Sequence, residues 1–243
     1  MENVLAPYHF DCIVHTAYHK DNLDNVIVGG TANVVQYARR FGIPLIYLSS
    51  DLIFSGENGL YSEEDVVEPI MDYGRNKLEA ERIVQTWEQA AIIRTSLLYC
   101  LNHIPPNYLF AFTRLQENLP VELFNDEMRS PVYIDDLSGF VAWLIDHFQS
   151  GIYHFGGSMP YSRFEYTWLL SQIFNPQKTA LLKPVSSKQS NLVRPTDCTL
   201  DSTKARELSG IYPRSVSEVI KQKAFCQLSR KGIPYVQPQI THL

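Results

Sequence analysis

Along the first hundred positions, three short runs of almost unbroken apolar residues alternate with two stretches of helical periodicity. The runs are DCIVHTA at 11–17, PLIYLSSDLIF at 44–54 and AAIIRTSLLY at 90–99. Their β-branched and large aliphatic side chains lack strict alternation, which suits strands covered on both faces of a parallel sheet. Between them, residues 25–41 put Ile27, Thr31, Val34, Val35 and Ala38 on one helical stripe, with Gly42 as a stop. Residues 72–87 put Tyr73, Lys77, Ala80, Val84 and Trp87 along another, just after Pro69. Strand, helix, strand, helix, strand predicts right-handed βαβ units and an α/β fold.

Beyond Tyr99 the alternation loosens. Pro105, Pro106, Pro120 and the stretch 125–131 interrupt the chain. Helical patterns return at 108–117, 135–148, 162–174 and 215–228, and 175–195 reads as loop. The expected organisation is a sheet domain over 1–100, then a mixed segment, 101–243, that completes the sheet and forms a smaller lobe.

Composition narrows the class. Of 243 residues, 45% are hydrophobic and 19% charged, and the net charge is -5 with Lys and Arg scattered. That argues against a nucleic-acid partner. No apolar stretch is long enough to span a bilayer, and the N-terminus lacks signal-peptide order. Cys12, Cys100, Cys198 and Cys226 are far apart without a C-x-x-C pair, so reduced core thiols in a cytoplasmic protein are the reading.

The chemistry centres on Tyr73-Gly-Arg-Asn-Lys77. Tyr and Lys at i and i+4 share a helix face. A lysine cation beside a phenol favours the phenolate and lowers its pKa, which fits the Tyr for proton exchange with a carbonyl or alcohol oxygen. Alone the pattern is weak. Here it follows Leu48-Ser49-Ser50-Asp51 at the end of a strand, where α/β sheets gather ligands and a hydroxyl can orient a substrate oxygen.

These residues carry a resemblance. Ser49-Ser50-Asp51 through Phe54 and Gly56, then Tyr61, Pro69 and Tyr73-Gly74 through Lys77 and Glu81, resemble the extended short-chain dehydrogenases of the dTDP-4-dehydrorhamnose reductase type. Ile93-Arg94-Thr95-Ser96, Ser130-Pro131 with Asp135-Asp136, and Arg194-Pro195 with Leu200-Asp201 follow in the family's order. The resemblance implies a Rossmann-like parallel sheet with a smaller C-terminal substrate-binding lobe, and NADP- or NAD-dependent reduction of a nucleotide-linked 4-keto sugar. It implies Ser50 as the hydroxyl that orients the substrate carbonyl, Tyr73 as proton donor, and Lys77 as the group that lowers its pKa and holds the nicotinamide ribose. Thr16, Ala17 and Ser49 would lie along the cofactor, and Asp51 and Arg194 against the substrate.

The sequence also departs from the family. The family opens with a strand, a glycine-rich turn and a helix, roughly 60 residues ahead of the Asp11 run, and nothing here matches them. Gly29-Gly30 falls inside a helical pattern and reads as a packing or helix-irregularity feature. Ile27 stands where many relatives carry an active-site Asn, and Leu97 where rhamnose-forming reductases often carry Trp. The resemblance therefore leaves an alternative open: a non-catalytic regulatory subunit, like the family member that associates with methionine adenosyltransferase, or a decayed or truncated enzyme. A homodimer is a further partner reading. His15 and His19 lack ligands to complete a metal site, and the aromatic group Tyr161, Phe164, Tyr166 and Trp168 reads as core.

Overall fold

The computed structural model describes residues 10–18 and 23–230, with side chains described through 223. β1 (Ile13–His15), β2 (Leu45–Ser50) and β3 (Ala90–Thr95) form within the three apolar runs. The third run breaks after Thr95 and resumes as β4 (Leu98–Tyr99). A π-helical turn (Asp24–Gly29) leads into α1 (Gly30–Phe41), and a 3-10 turn (Asp51–Ile53) follows β2 ahead of α2 (Asp72–Gln85). Downstream come α3 (Leu109–Gln116), β5 (Val121–Phe124), β6 (Met128–Arg129), β7 (Val132–Tyr133), α4 (Ile134–Asp146) and β8 (Gly151–Phe155). They are followed by β9 (Tyr161–Ser162), α5 (Arg163–Phe174), β10 (Leu182–Val185), α6 (Thr203–Ser209) and α7 (Val216–Arg230).

The main sheet has the order β1-β2-β3-β8 and is parallel throughout. Among the described residues β1 pairs only with β2. Apolar stripes decide which helix covers which face. Ile27, Val35 and Ala38 with Ala80 and Val84 cover Leu45, Tyr47 and Ile92 on one side. Leu137, Phe140 and Ala205 cover Ile46, Ile93 and Phe155 on the other. A separate core joins α3, α5 and α7 to the β5–β10 pair through Tyr108, Leu115, Val121, Tyr166, Leu170, Leu182 and Val216. Tyr161, Phe164 and Trp168 pack against it.

Three features refine the pattern reading. The loop-like stretch 175–195 contains β10, which pairs in parallel with β5 despite Pro184; a two-stranded pair is all edge, where Pro is tolerated. β8 supplies the sheet's fourth strand, and α6 packs on its face. Gly29-Gly30 marks the junction of the π turn with α1, and a Cβ at either would meet only a carbonyl oxygen at 3.8 Å, so the pair accommodates a helix irregularity rather than a tight contact.

Cys12, Cys100 and Cys198 are free thiols; the Cys226 side chain lies outside the described residues. Among the described residues no helix is long and apolar enough to cross a membrane, and no group of three or more His, Cys, Asp or Glu could hold a metal. His19 lies outside them.

Candidate active site

Parallel pairing brings the carboxyl ends of β1, β2 and β3 to one edge, and the candidate residues collect there. Ser50 ends β2 and caps the following turn: its Oγ accepts the Leu52 N–H at 3.2 Å and donates to Asp51 Oδ1 at 3.2 Å. Gly74 lets α2 reach this edge. A Cβ on it would lie 2.0 Å from the Leu52 carbonyl oxygen, a backbone atom with no room to yield. Only glycine allows that approach, and it seats the adjacent Tyr73 beside Ser50.

Tyr73 is half-buried, and Tyr18 stands edge-on to it with ring centres 5.7 Å apart. Burial, and after it the charge of Asp51, pushes the phenol up to about 12, while the nearby Ser50 hydroxyl pulls the other way. Lys77, one turn along, is buried; its Nζ donates to the Leu48 carbonyl at 2.7 Å and lies 4.7 Å from the centre of the Tyr47 ring. Burial lowers its pKa to about 8 against the opposing pull of Glu81. Burial and Asp51 dominate at Tyr73, and the ammonium is engaged by a backbone carbonyl.

Asp51 also departs from its expected place against the substrate. It is 0% exposed, and its carboxylate takes Ser96 Oγ at 2.5 Å, Arg129 Nε at 2.7 Å and a second bond from Arg129 Nη2. A carboxylate so enclosed supports its neighbours rather than touching a ligand. Arg194 is delivered by a tight seam. Gly56, with φ of 82°, has no room for a Cβ against Pro195, and its carbonyl accepts Thr196 Oγ1 at 2.6 Å and the Asp197 N–H at 2.9 Å. The Arg194 guanidinium then grips Glu127 with Nε at 2.6 Å and Nη2 at 2.9 Å. Burial pushes Glu127 up, but Arg194, Arg163 and Arg129 outweigh it and hold the carboxyl below its usual range.

Thr16 and Ala17 are exposed just past the end of β1, at the same edge. His15, before them, is buried and donates Nε2–H to Thr31 Oγ1 at 3.0 Å, since the Thr31 proton goes to the Ile27 carbonyl. Burial and then the Lys77 charge lower its pKa to about 4, so it is neutral. Ile27 is fully buried in the π turn and brings no amide to the site. Ser49 is buried, and its Oγ has no hydrogen-bond partner among the described residues. That unmet hydroxyl, the Lys77 ammonium and the open Thr16-Ala17 backbone suit the ribose and ring end of a dinucleotide.

The sequence reading named Ser49, Ser50, Tyr73 and Lys77, which lie near one another at this edge. It missed Tyr18, Ser96, Glu127, Arg129 and Arg163. The signals for these were thin: Ser96 stood among the quoted landmarks without a role of its own, and Arg129 lay just before Ser130-Pro131.

The chain is similar to known proteins along most of its length. It is 27% identical over 205 residues to methionine adenosyltransferase 2 subunit beta of Rattus norvegicus, covering 80% of this chain and 61% of that protein. It thus spans about three fifths of the length of that relative. It is 26% identical over 212 residues to dTDP-4-dehydrorhamnose reductase of Aggregatibacter actinomycetemcomitans, covering 81% of this chain and 71% of that one. The fold superposes on the crystal structure of dTDP-4-dehydrorhamnose reductase from Bacillus anthracis in complex with NADP. The TM-score is 0.80 at 22% identity, over 93% of this chain and 84% of that one. The model of the RmlD substrate binding domain matches residues 4–225, and the chain belongs to that family.

Proposed function

We propose that this chain is a reductase of a nucleotide-linked 4-keto sugar that uses NADPH or NADH. The observation that carries the reading is Ser50 and Tyr73 side by side at the carboxyl edge of a parallel sheet, with Lys77 one turn behind, in a chain of this family. Residues 101–243 complete the sheet and form the lobe that receives the sugar nucleotide.

A reduced nicotinamide supplies the hydride when bound. Ser49, Lys77, Thr16 and Ala17 hold its ribose and ring end, and the chain's own side chains handle the oxygen. Ser50 and Tyr73 converge on the carbonyl oxygen. As charge builds on that oxygen, Tyr73 hands over its proton. A phenol held at about 12 is a weak acid, yet an alkoxide is a stronger base than a phenolate, so the transfer runs downhill. Lys77, with a pKa of about 8, is mostly cationic at neutral pH and stabilises the phenolate left behind. Asp51, clamped by Arg129 and Ser96, fixes Ser50.

The test is consumption of NADPH or NADH by the purified chain with dTDP-4-dehydro-6-deoxy-L-mannose. Stoichiometric oxidation supports the reading; no turnover despite tight dinucleotide binding removes it. A second reading rests on the similarity to methionine adenosyltransferase 2 subunit beta: a regulatory subunit that binds a catalytic partner. Calorimetric titration separates the two, because a stable fold with no dinucleotide affinity favours the regulatory role.

A further inference from the structure

β1 hands the chain to the carboxyl edge from a fixed point. His15 is buried, its Nε2–H is held by Thr31 Oγ1 at 3.0 Å, and its ring centre lies 5.4 Å from that of Tyr47. An anchored residue therefore aims the segment that follows, and Thr16 and Ala17 cross the edge exposed. Tyr18 comes next, and its ring meets that of Tyr73 at 90° with centres 5.7 Å apart. Edge-to-face contact is a favoured arrangement of two aromatic rings, so the pairing sets where Tyr18 stands. Yet 55% of Tyr18 remains exposed. An exposed tyrosine on its own is ordinary. One seated on the phenol that faces the reacting oxygen is different, because it offers open apolar surface at the place where a ligand must arrive. Tyr18 also meets α2 at Tyr73, near the helix start, whereas Lys77 lies one turn further along and is engaged by the Leu48 carbonyl.

We propose that Tyr18 is a substrate-binding residue whose ring walls the exposed side of Tyr73 and takes the C–H face of the keto sugar. The proposal rests on the reading of this edge as the site of a nucleotide-linked keto sugar. A six-membered sugar without a hydroxyl at C6 carries a methyl group and ring hydrogens, apolar surface that suits an aromatic face. Ser50 and Tyr73 engage the carbonyl oxygen and leave that surface uncovered. With Tyr18 against it, the sugar is held in one orientation, its carbonyl turned toward the phenol.

The experiment is calorimetric titration of the whole chain with dTDP-6-deoxy-L-mannose, the reduced form of the keto sugar, and separately with dTDP and NADPH. Wild type, Tyr18→Ala and Tyr18→Phe are compared. Tyr18→Ala weakens the sugar nucleotide about ten- to fiftyfold and leaves dTDP at wild-type affinity, and Tyr18→Phe, which keeps the ring, recovers most of the loss. In turnover of the keto sugar the same loss falls on KM and not on kcat, because a wall binds ground state and transition state alike. Equal affinity of Tyr18→Ala and wild type for the sugar nucleotide overturns the proposal, as do an equal loss for dTDP and a wild type that binds no sugar nucleotide. A fall in kcat at unchanged KM also overturns it, since Tyr18 would then act only by seating Tyr73. Weakened NADPH binding with the sugar nucleotide unaffected gives the ring to the nicotinamide and overturns it as well. Should Tyr18→Ala fail to fold, Tyr18→Leu decides, and wild-type affinity for the sugar nucleotide in it overturns the proposal. Binding of the sugar nucleotide that depends on Tyr18, in a chain that never reduces the keto sugar, removes the reductase reading and leaves Tyr18 in its role. Turnover with KM unchanged in Tyr18→Ala does the reverse.

Discussion

Under α2, Glu81 and Arg94 close on each other. Arg94 Nη2 reaches Glu81 at 2.9 Å and Nε reaches both carboxylate oxygens, while Nη1 approaches His154 Nε2 at 3.4 Å. One cation meets one anion, and both are almost wholly buried, at 4% and 1% exposure. Behind Ser50 the arrangement is different: Arg129, Arg163 and Arg194 outnumber Asp51 and Glu127, and Arg163 and Arg194 open to solvent. The closed pair is complete without a ligand and serves to join α2 to β3, which fixes the helix that carries Tyr73 and Lys77. The two clusters of buried charge thus differ in how far each is balanced by its own members.

Breaking the closed pair gives the largest effect. Arg94→Ala strands the Glu81 carboxylate and lowers stability by about 3–5 kcal/mol in denaturant unfolding, whereas Glu81→Leu with Arg94→Met costs far less. Equal losses in the single and double variants contradict the description of this pair as self-contained. Acid gives a smaller effect. His154 donates Nδ1–H to the Tyr61 carbonyl at 2.8 Å and offers Nε2 to Arg94, and burial first and then Arg94 lower its pKa to about 4, close to that of His15. Both histidines are neutral when folded and take up protons more readily when unfolded. Stability is therefore lost as pH falls from about 6.5 toward 4 and is flat above, a few kcal/mol in all. Unfolding followed across that range checks it, and His154→Gln reduces the slope. The smallest effect belongs to the open cluster. Arg163→Gln removes a cation crowded by two others, so its unfolding midpoint stays within about 0.5 kcal/mol of wild type; a large loss would mean that Arg163 is part of the scaffold.

The legible parts of the molecule were those written locally. The stripe carrying Lys77, Ala80 and Val84 follows helical spacing, and Ser49-Ser50 ends a run whose burial its own composition announces. The open cluster could not be read in that way. Asp51 meets Arg129 across 78 positions, and Arg194 meets Glu127 across 67, in segments interrupted by proline and turn residues. Charged residues in such segments read as solvated until tertiary pairing buries them. β10 was hidden for a related reason: Pro184 argues against a strand, and only its partner β5 makes one. The i, i+4 spacing of Tyr73 and Lys77 gives nearness along α2 but not the backbone carbonyl that claims the Lys77 ammonium.

The central claim is that Tyr73 supplies the proton when the carbonyl is reduced. Its most direct test compares wild type and Tyr73→Phe at saturating dinucleotide, following nicotinamide oxidation with the 4-keto sugar nucleotide alongside dinucleotide affinity. The account predicts turnover reduced about a hundredfold or more with affinity nearly unchanged. Turnover retained in Tyr73→Phe contradicts it.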